Sequence, residues 1–378
     1  MSSFSHRHSH PSRNNSLHLE SLENRCLLAG NVVAEVNEGV LEIQGDPKEN
    51  WIEIRQVGDE EFIIIGLDSP LPGDAGLGAP TTVNGQVADT FSGVRDIKAK
   101  MAGEDDYIFF NGDTAFGATQ EMVIKGRVDV FGNQGGDNIL FENVTIRQET
   151  HIRGNDGGDT IQFIDCNLNK HAAIRGQGQG DTIGIFRTTF RSDGLILGGN
   201  GPDRVFVGLE QGGLEGGNFR KNVYVNGGRN RDFLEFTDTR VIGNATIVGG
   251  DQKDDVDIND SVFKSHVRID SGSGPDIIEI NDTRFPGAEN RLRINGGDGI
   301  DKIRIFDSLF ESQDFVIRGG SGNDTLSIND STFAEEPEEI SFLGGPGLLD
   351  ILDVGVFGVS NGNVFPGGFA FAGWEELA

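Results

Sequence analysis

Apolar and polar residues alternate in short runs along this chain, and an aspartate stands at the start of each run. These aspartates are Asp106, Asp137, Asp159, Asp181, Asp203, Asp232, Asp254, Asp276, Asp301 and Asp324, and 22 residues is the commonest spacing between them. Apolar side chains follow two and four residues after each aspartate, as Ile161 and Phe163 follow Asp159. Such period-two alternation predicts a β-strand with one face turned inward.

Two further sets of positions complete the repeat. Six residues after the aspartate there is usually a second Asp or Asn followed by Ser or Thr, as in Asp260-Ser261, and nine residues after it a large apolar residue such as Phe263. The polar pair predicts a corner. A third apolar strand precedes the next glycine turn. Three short strands and three corners predict a single-stranded parallel β-helix of about 10–12 coils, because a period of this length indicates a solenoid.

The chain divides into a tail and one solenoid. Residues 1–30 are predicted to be a disordered sorting segment, since the first 18 are polar and lack the apolar core of a secretory signal peptide. Residues 31–378 are predicted to form the β-helix, with an N-terminal cap and first coils over 31–100, regular coils over 101–350 and an apolar C-terminal cap over 351–378. In the segment 31–100, Asn50 stands at the position that an aspartate has in the later coils.

The charge balance limits the partners of the protein. With 31 basic and 60 acidic residues the net charge is −29, which argues against nucleic acid and anionic membranes and favours divalent cations. No stretch approaches 18 consecutive apolar residues, so no membrane span is predicted. Cys26 and Cys166 are too few for a disulfide framework and are expected to be free thiols.

A short run near the N-terminus carries a family resemblance. The sequence Leu22-Glu23-Asn24-Arg25-Cys26-Leu27-Leu28 resembles the LEPR-XLL motif of large exported or surface-associated planctomycete proteins, with Asn24 where that family has proline. The resemblance covers about a dozen residues and implies sorting to the extracellular space or cell surface. The alternative is a short amphipathic helix, Leu19 to Leu28, that caps the solenoid.

The glycine-rich turns carry a second resemblance. The turns Gly198 to Val205, Gly296 to Ile303 and Gly319 to Leu326 are similar to the nonapeptide of hemolysin-type (RTX) repeats, in which the aspartate and turn carbonyls bind Ca²⁺ between stacked turns. The resemblance implies calcium ligands at Asp137, Asp159, Asp181, Asp203, Asp254, Asp276, Asp301 and Asp324. Stacked aspartates also repel by about 1 kcal/mol per pair in water, so the column needs a counter-ion, hydrogen bonds or raised pKa values.

An explanation without metal competes with calcium. RTX domains carry their nonapeptides in tandem, whereas this chain has one per coil, and several turns contain a cation such as Arg204 or Lys302. In an Asx-type turn the aspartate accepts backbone N–H groups of its own turn and needs no ion. Both explanations are open from the sequence.

Repetition itself predicts a function class. A scaffold requires the same property from every coil, whereas a catalyst requires something different from one of them, so we expect a non-catalytic scaffold or adhesion protein whose partners are divalent cations and polysaccharide or other cell-surface components. The alternative is a polysaccharide lyase or glycosidase that uses the outward-facing Glu235, Asp257, Glu279 and Arg304 on successive coils. Two Trp and two Tyr in the whole chain offer few platforms for sugar rings.

Overall fold

The predicted alternation forms strands throughout the described part of the chain. The computed structural model of the protein describes residues 30–68, 80–112, 121–208, 217–287, 289–311, 314–333, 339–346, 350–353, 370–372 and 375–376. Within these ranges all regular secondary structure is β-strand. The strands form three sheets, numbered here in the order in which each coil visits them.

Sheet 1 has fifteen strands, and its strands in the regular coils begin just after the repeating aspartates. They are Trp51–Gly58, Glu61–Gly66, Ala88–Ser92, Tyr107–Asn111, Asn138–Glu142, Thr160–Ile164, Thr182–Phe186, Arg204–Gly208, Phe233–Thr237, Asp255–Asn259, Ile277–Asn281, Lys302–Phe306, Thr325–Asn329, Ile351–Asp353 and Glu375–Glu376. Sheet 2 follows the polar corner and has ten short strands. They are Met122–Ile124, Val144–Ile146, Asn167–Leu168, Thr189–Phe190, Asn218–Phe219, Arg240–Val241, Val262–Phe263, Arg284–Phe285, Leu309–Phe310 and Thr332–Phe333.

Sheet 3 leads into the next glycine turn and also has fifteen strands. They are Asn31–Asn37, Val40–Gln44, Thr82–Val83, Asp96–Lys100, Val128–Gln134, Thr150–Asp156, Ala172–Gln177, Gly194–Asn200, Val223–Arg229, Ala245–Asp251, Val267–Ser273, Arg291–Asp298, Asp314–Ser321, Glu339–Leu343 and Ala370–Ala372. In the repeating coils, each strand pairs in parallel with the equivalent strand of the next coil. The prediction of a parallel β-helix is therefore confirmed.

The register of the coils keeps like positions in columns. In sheet 1, Ile161 lies opposite Ile183, and Ile183 opposite Val205. All three side chains are fully buried. Phenylalanines at other interior positions stack from coil to coil, with ring centroids 4.6 Å apart for Phe141 and Phe163. The core is thus one continuous apolar column that no single coil could bury alone.

The N-terminal end of the solenoid differs from the repeat. Asn31–Asn37 pairs antiparallel with Val40–Gln44, and Trp51–Gly58 pairs antiparallel with Glu61–Gly66. These hairpins cover sheet edges that would otherwise present unpaired backbone groups to another molecule.

The polar corner between sheets 1 and 2 has a conformational cause. Its first residue has a positive φ, between 46° and 53°, at Asn143, Asp165, Asp238, Asp260, Asp282, Asp307 and Asp330. Asn and Asp adopt this left-handed conformation more readily than other side chains except glycine. The second residue of each of these corners is buried, and in five of the seven its N–H donates to a hydroxyl of the next coil, as from Ser261 to Thr283 Oγ1 at 3.3 Å. The corner polar pair is therefore structural.

Some predictions concern residues outside the described ranges. These are the tail and its LEPR-XLL-like run within residues 1–29, and the apolar segment 354–369 of the C-terminal cap. Sheets 1 and 3 do continue beyond residue 350, through Ile351–Asp353 and Ala370–Ala372.

Candidate functional site

The repeating aspartates form one internal ladder. Every one of them is at most 3% exposed. The backbone N–H of each donates to Oδ1 of the ladder residue in the next coil, for example from Asp159 to Asp181 at 2.8 Å and from Asp181 to Asp203 at 2.7 Å. The same bond, 2.7–3.0 Å long, joins every step from Asn50 to Asp350.

This geometry differs from the Asx-type turn considered above. The N–H group that Oδ1 accepts belongs to the preceding coil and not to the aspartate's own turn. The carboxyl group therefore links coils as well as shaping a corner. Asp350, which sequence reasoning missed, extends the ladder by one coil. Asp106 and Asp232, left out of the predicted calcium set, lie in the ladder like the others.

The second carboxyl oxygen has no such partner among the described residues. There, Oδ2 is buried without a hydrogen bond in the ten ladder aspartates from Asp106 to Asp324. It lies against a glycine five residues earlier in most coils. A Cβ atom added to Gly198 would collide with both Asp203 Oδ2 and the carbonyl oxygen of Gly227 in the next coil. Glycine at this position therefore makes room for the carboxyl group.

Burial changes the ionisation of the ladder. Removal from water disfavours the charged form, and it raises the pKa to about 6 for Asp159, about 7 for Asp203 and about 8 for Asp181, while the backbone N–H bond to each carboxyl lowers it in part. The pKa is likewise raised, mainly by burial, for Asp106, Asp137, Asp232, Asp254, Asp276, Asp301 and Asp324.

Asn50 shows what this position requires. Its Nδ2 lies against Gly45, as Oδ2 of the aspartates lies against their glycines. Nδ2 donates to the carbonyl oxygens of Asp46 at 2.9 Å and Lys48 at 2.5 Å. The one ladder residue with an amide thus places a donor there. A proton on Oδ2 gives each aspartate the same capacity, whereas an ionised carboxylate can only accept.

The hydroxyl residues at the other corner satisfy the same requirement with neutral groups. Thr283 Oγ1 accepts the N–H of Ser261 at 3.3 Å and donates to the carbonyl oxygen of Asn281 at 2.9 Å. Thr188 accepts from the N–H of Cys166 and donates to the carbonyl of Phe186. Both the aspartates and the corner hydroxyls join coils through a side chain that accepts one N–H. Among the described residues, the corner hydroxyls leave no buried oxygen without a hydrogen bond.

Some of the oxygen atoms that a calcium ion would use already accept hydrogen bonds between coils. Calcium takes about six to eight oxygen ligands. Oδ1 of each aspartate is engaged by an N–H group, and turn carbonyls are engaged between coils, as where Gly299 N–H donates to Ser321 O at 2.7 Å. Among the described residues, no group of three or more His, Cys, Asp or Glu is placed to hold a metal ion. Calcium stays a prediction that needs a direct test.

The four residues of the catalytic alternative do lie together. Glu235, Asp257, Glu279 and Arg304 form one column on the outer face of sheet 1, each opposite the next. Arg304 is paired with Glu279 at 3.3 Å. Burial, followed by the charges of Glu279, Asp255 and Glu235, raises the pKa of Asp257 to about 6.

A groove lies beside this column. Its volume is about 730 Å³, and it is lined by Phe206, Phe233, Arg204 and Arg231 among others. The two rings face outward with centroids 5.8 Å apart. Sequence reasoning missed this aromatic pair because it counted only Trp and Tyr.

Comparison of the chain with protein-family models, curated proteins and solved structures gave no match. In the described part of the chain there is no helix long and apolar enough to cross a membrane.

Proposed function

We propose that this protein is a non-catalytic, exported or cell-surface scaffold of the adhesion type. The observation that carries the proposal is the ladder, which makes the same inter-coil bond at each step from Asn50 to Asp350. The residues that repeat most strictly are thus used to stack coils. The surface location rests on the LEPR-XLL-like run at Leu22 to Leu28.

Deleting residues 1–28 should prevent the protein from reaching the cell surface. A sorting signal acts through its sequence and not through the solenoid, so the coils should still fold. The measurement is digestion of the protein on intact cells by an added protease, compared with lysed cells. Deleting residues 2–18, which keeps the LEPR-XLL-like run, is the control and should leave exposure unchanged. Normal surface exposure of the 1–28 deletion would contradict the sorting role.

Calcium should stabilise the protein no more than magnesium does at equal ionic strength. A ligand specific for the folded state raises stability by RT ln(1 + [L]/Kd), about 3 kcal/mol at a hundredfold excess over Kd, whereas screening of the acidic surface is common to both ions. The measurement is the melting temperature in calcium, magnesium and chelator. A calcium-specific rise that Asp181→Asn reduces would establish the predicted RTX-like sites.

A carbohydrate-active protein is the second candidate. The observation in its favour is Asp257, a carboxyl group with a raised pKa between Glu235 and Glu279, beside an aromatic groove. A carboxylic acid with a raised pKa beside a second carboxyl group is the arrangement that glycosidases use. Release of reducing ends from an acidic or neutral polysaccharide by the wild-type protein, lost in Asp257→Asn, would overturn the scaffold proposal.

A further inference from the structure

The outer face of sheet 3 carries an unusual column of cations for so acidic a protein. Lys100, Phe131, Arg153 and Arg175 lie opposite one another on four successive strands. The Lys100 ammonium is 6.0 Å and the Arg153 guanidinium 5.2 Å from the centroid of the Phe131 ring. We call Lys100, Arg153 and Arg175 the basic column.

The basic column lacks carboxylate partners. None of its three cations forms an ion pair within the described residues. The carboxylate of Asp129, in the adjacent column, is engaged by Arg127 at 2.8 Å and by His151 at 3.1 Å. Burial and the charge of Arg153 lower the pKa of Arg175. Two arginines on adjacent coils with no anion between them are unfavourable in isolation.

The outer face of sheet 1 has the opposite feature. Glu235, Asp257 and Glu279 stand on three successive strands, and we call them the acidic column. Arg304 pairs only with Glu279, so Glu235 and Asp257 have no ion pair within the described residues. The like charges are close enough to contribute to the raised pKa of Asp257.

We propose that the basic column of one copy of this protein docks on the acidic column of a second copy. Each column presents one side chain per coil, and both belong to sheets with the same strand spacing of about 4.8 Å. Charges on the two copies can therefore meet in register along several coils. The cations of the basic column and two of the three carboxylates of the acidic column have no ion-pair partner within the described residues. Docking brings these side chains of opposite charge together away from bulk water.

A contact of this kind can link more than two copies of the protein. The two columns lie in different sheets and in different coils, so docking uses a different surface on each copy. Each bound copy keeps one free basic column or one free acidic column. Such a head-to-tail contact generates open chains unless the rotation closes a ring. A surface scaffold would in this way assemble into an array.

The test is sedimentation velocity of the full chain over a wide concentration range. At physiological ionic strength the Debye length is about 8 Å, so the long-range repulsion between two acidic molecules is screened while close contacts persist. The wild-type protein should form oligomers whose size grows with concentration. A basic-column variant, Arg153→Gln with Arg175→Gln, and an acidic-column variant, Glu235→Gln with Asp257→Asn, should each be monomeric.

Mixing the two variants gives the sharpest result. One variant keeps its acidic column and the other its basic column, so the mixture should form one-to-one dimers and nothing larger. The control Arg268→Gln with Arg293→Gln removes the same charge from sheet 3 in later coils and should associate like the wild type. Melting temperatures confirm that each variant is folded.

Several results would overturn the proposal. One is a wild-type protein that stays monomeric throughout, and another is a mixture of variants that stays monomeric. Association that survives in the acidic-column variant but not in the basic-column variant would also overturn it, because the basic column would then dock on a different surface of the second copy.

Discussion

The stability of the protein should fall steadily as the pH rises from about 5 to about 9. The pKa of each ladder carboxyl is raised from 3.8, to about 6 for Asp159 and about 8 for Asp181. Between the unfolded and folded pKa values, the folded chain keeps protons that the unfolded chain has lost. This stabilisation is complete below the unfolded pKa and is lost as the pH passes the folded values. Each such group contributes about 1.4 kcal/mol per pH unit in that window.

Denaturant unfolding at a series of pH values measures this effect, and Asp181→Asn identifies its source. Asparagine keeps the oxygen that accepts the N–H of Asp159 and adds the donor that Asn50 provides in the first coil. The variant should therefore be as stable as the wild type, or more so, at high pH, with a smaller dependence on pH. The same change at the exposed Asp251 is the control and should leave the slope nearly unaltered. Stability that increases toward neutral pH would show that the ladder is ionised in the folded state.

Replacing Ile183 by aspartate should unfold the solenoid or lower its free energy of unfolding by several kcal/mol. Ile183 is fully buried between Ile161 and Val205, and a carboxylate there has no partner. Burial of an unpaired charge is among the most costly single substitutions. The measurement is denaturant unfolding at a fixed pH.

Gln162→Asp is the matched control for that substitution. Gln162 lies on the same sheet one coil earlier, is half-buried and faces outward. Gln162→Asp should lower the free energy of unfolding much less than Ile183→Asp does, because the new charge at residue 162 reaches water. Equal stability of the two variants would contradict the assignment of Ile183 to the interior.

The sequence was sufficient for the fold because each coil repeats the same local requirements. Alternation placed Ile161 and Ile183 inside, and the polar corner was recognisable from pairs such as Asp260-Ser261. Asp350 was missed although its distance of 26 residues from Asp324 is shorter than the 31 residues between Asp106 and Asp137, which were both recognised. The outward pair Phe206 and Phe233 was missed because only Trp and Tyr were counted as platforms for sugar rings, although Phe206 stands three residues after Asp203, at the same outward position as Glu235 after Asp232.

The chemistry of the ladder could not be predicted from the sequence in the same way as the fold. A glycine-rich turn with an aspartate is compatible with calcium, with an Asx-type turn and with a bond to the next coil. Which of these forms depends on where the carboxyl group lies relative to the neighbouring coil, as for Asp159 and Asp181. That position is set by the stacking of complete coils, which no single turn encodes. The orphaned Oδ2 atoms and the donor geometry of Asn50 appear only in the assembled structure.

Proton counting tests the central claim most directly, namely that the aspartate ladder joins the coils and keeps protons at pH values where free carboxyl groups have lost them. The folded protein and the protein unfolded in urea are titrated in parallel from about pH 5 to about pH 9, and the protons bound by each are compared. We expect the folded chain to hold several more protons than the unfolded chain near pH 6, and the excess to diminish in Asp181→Asn by the share of one carboxyl group. Equal proton binding by the folded and unfolded chains across this range would contradict the account.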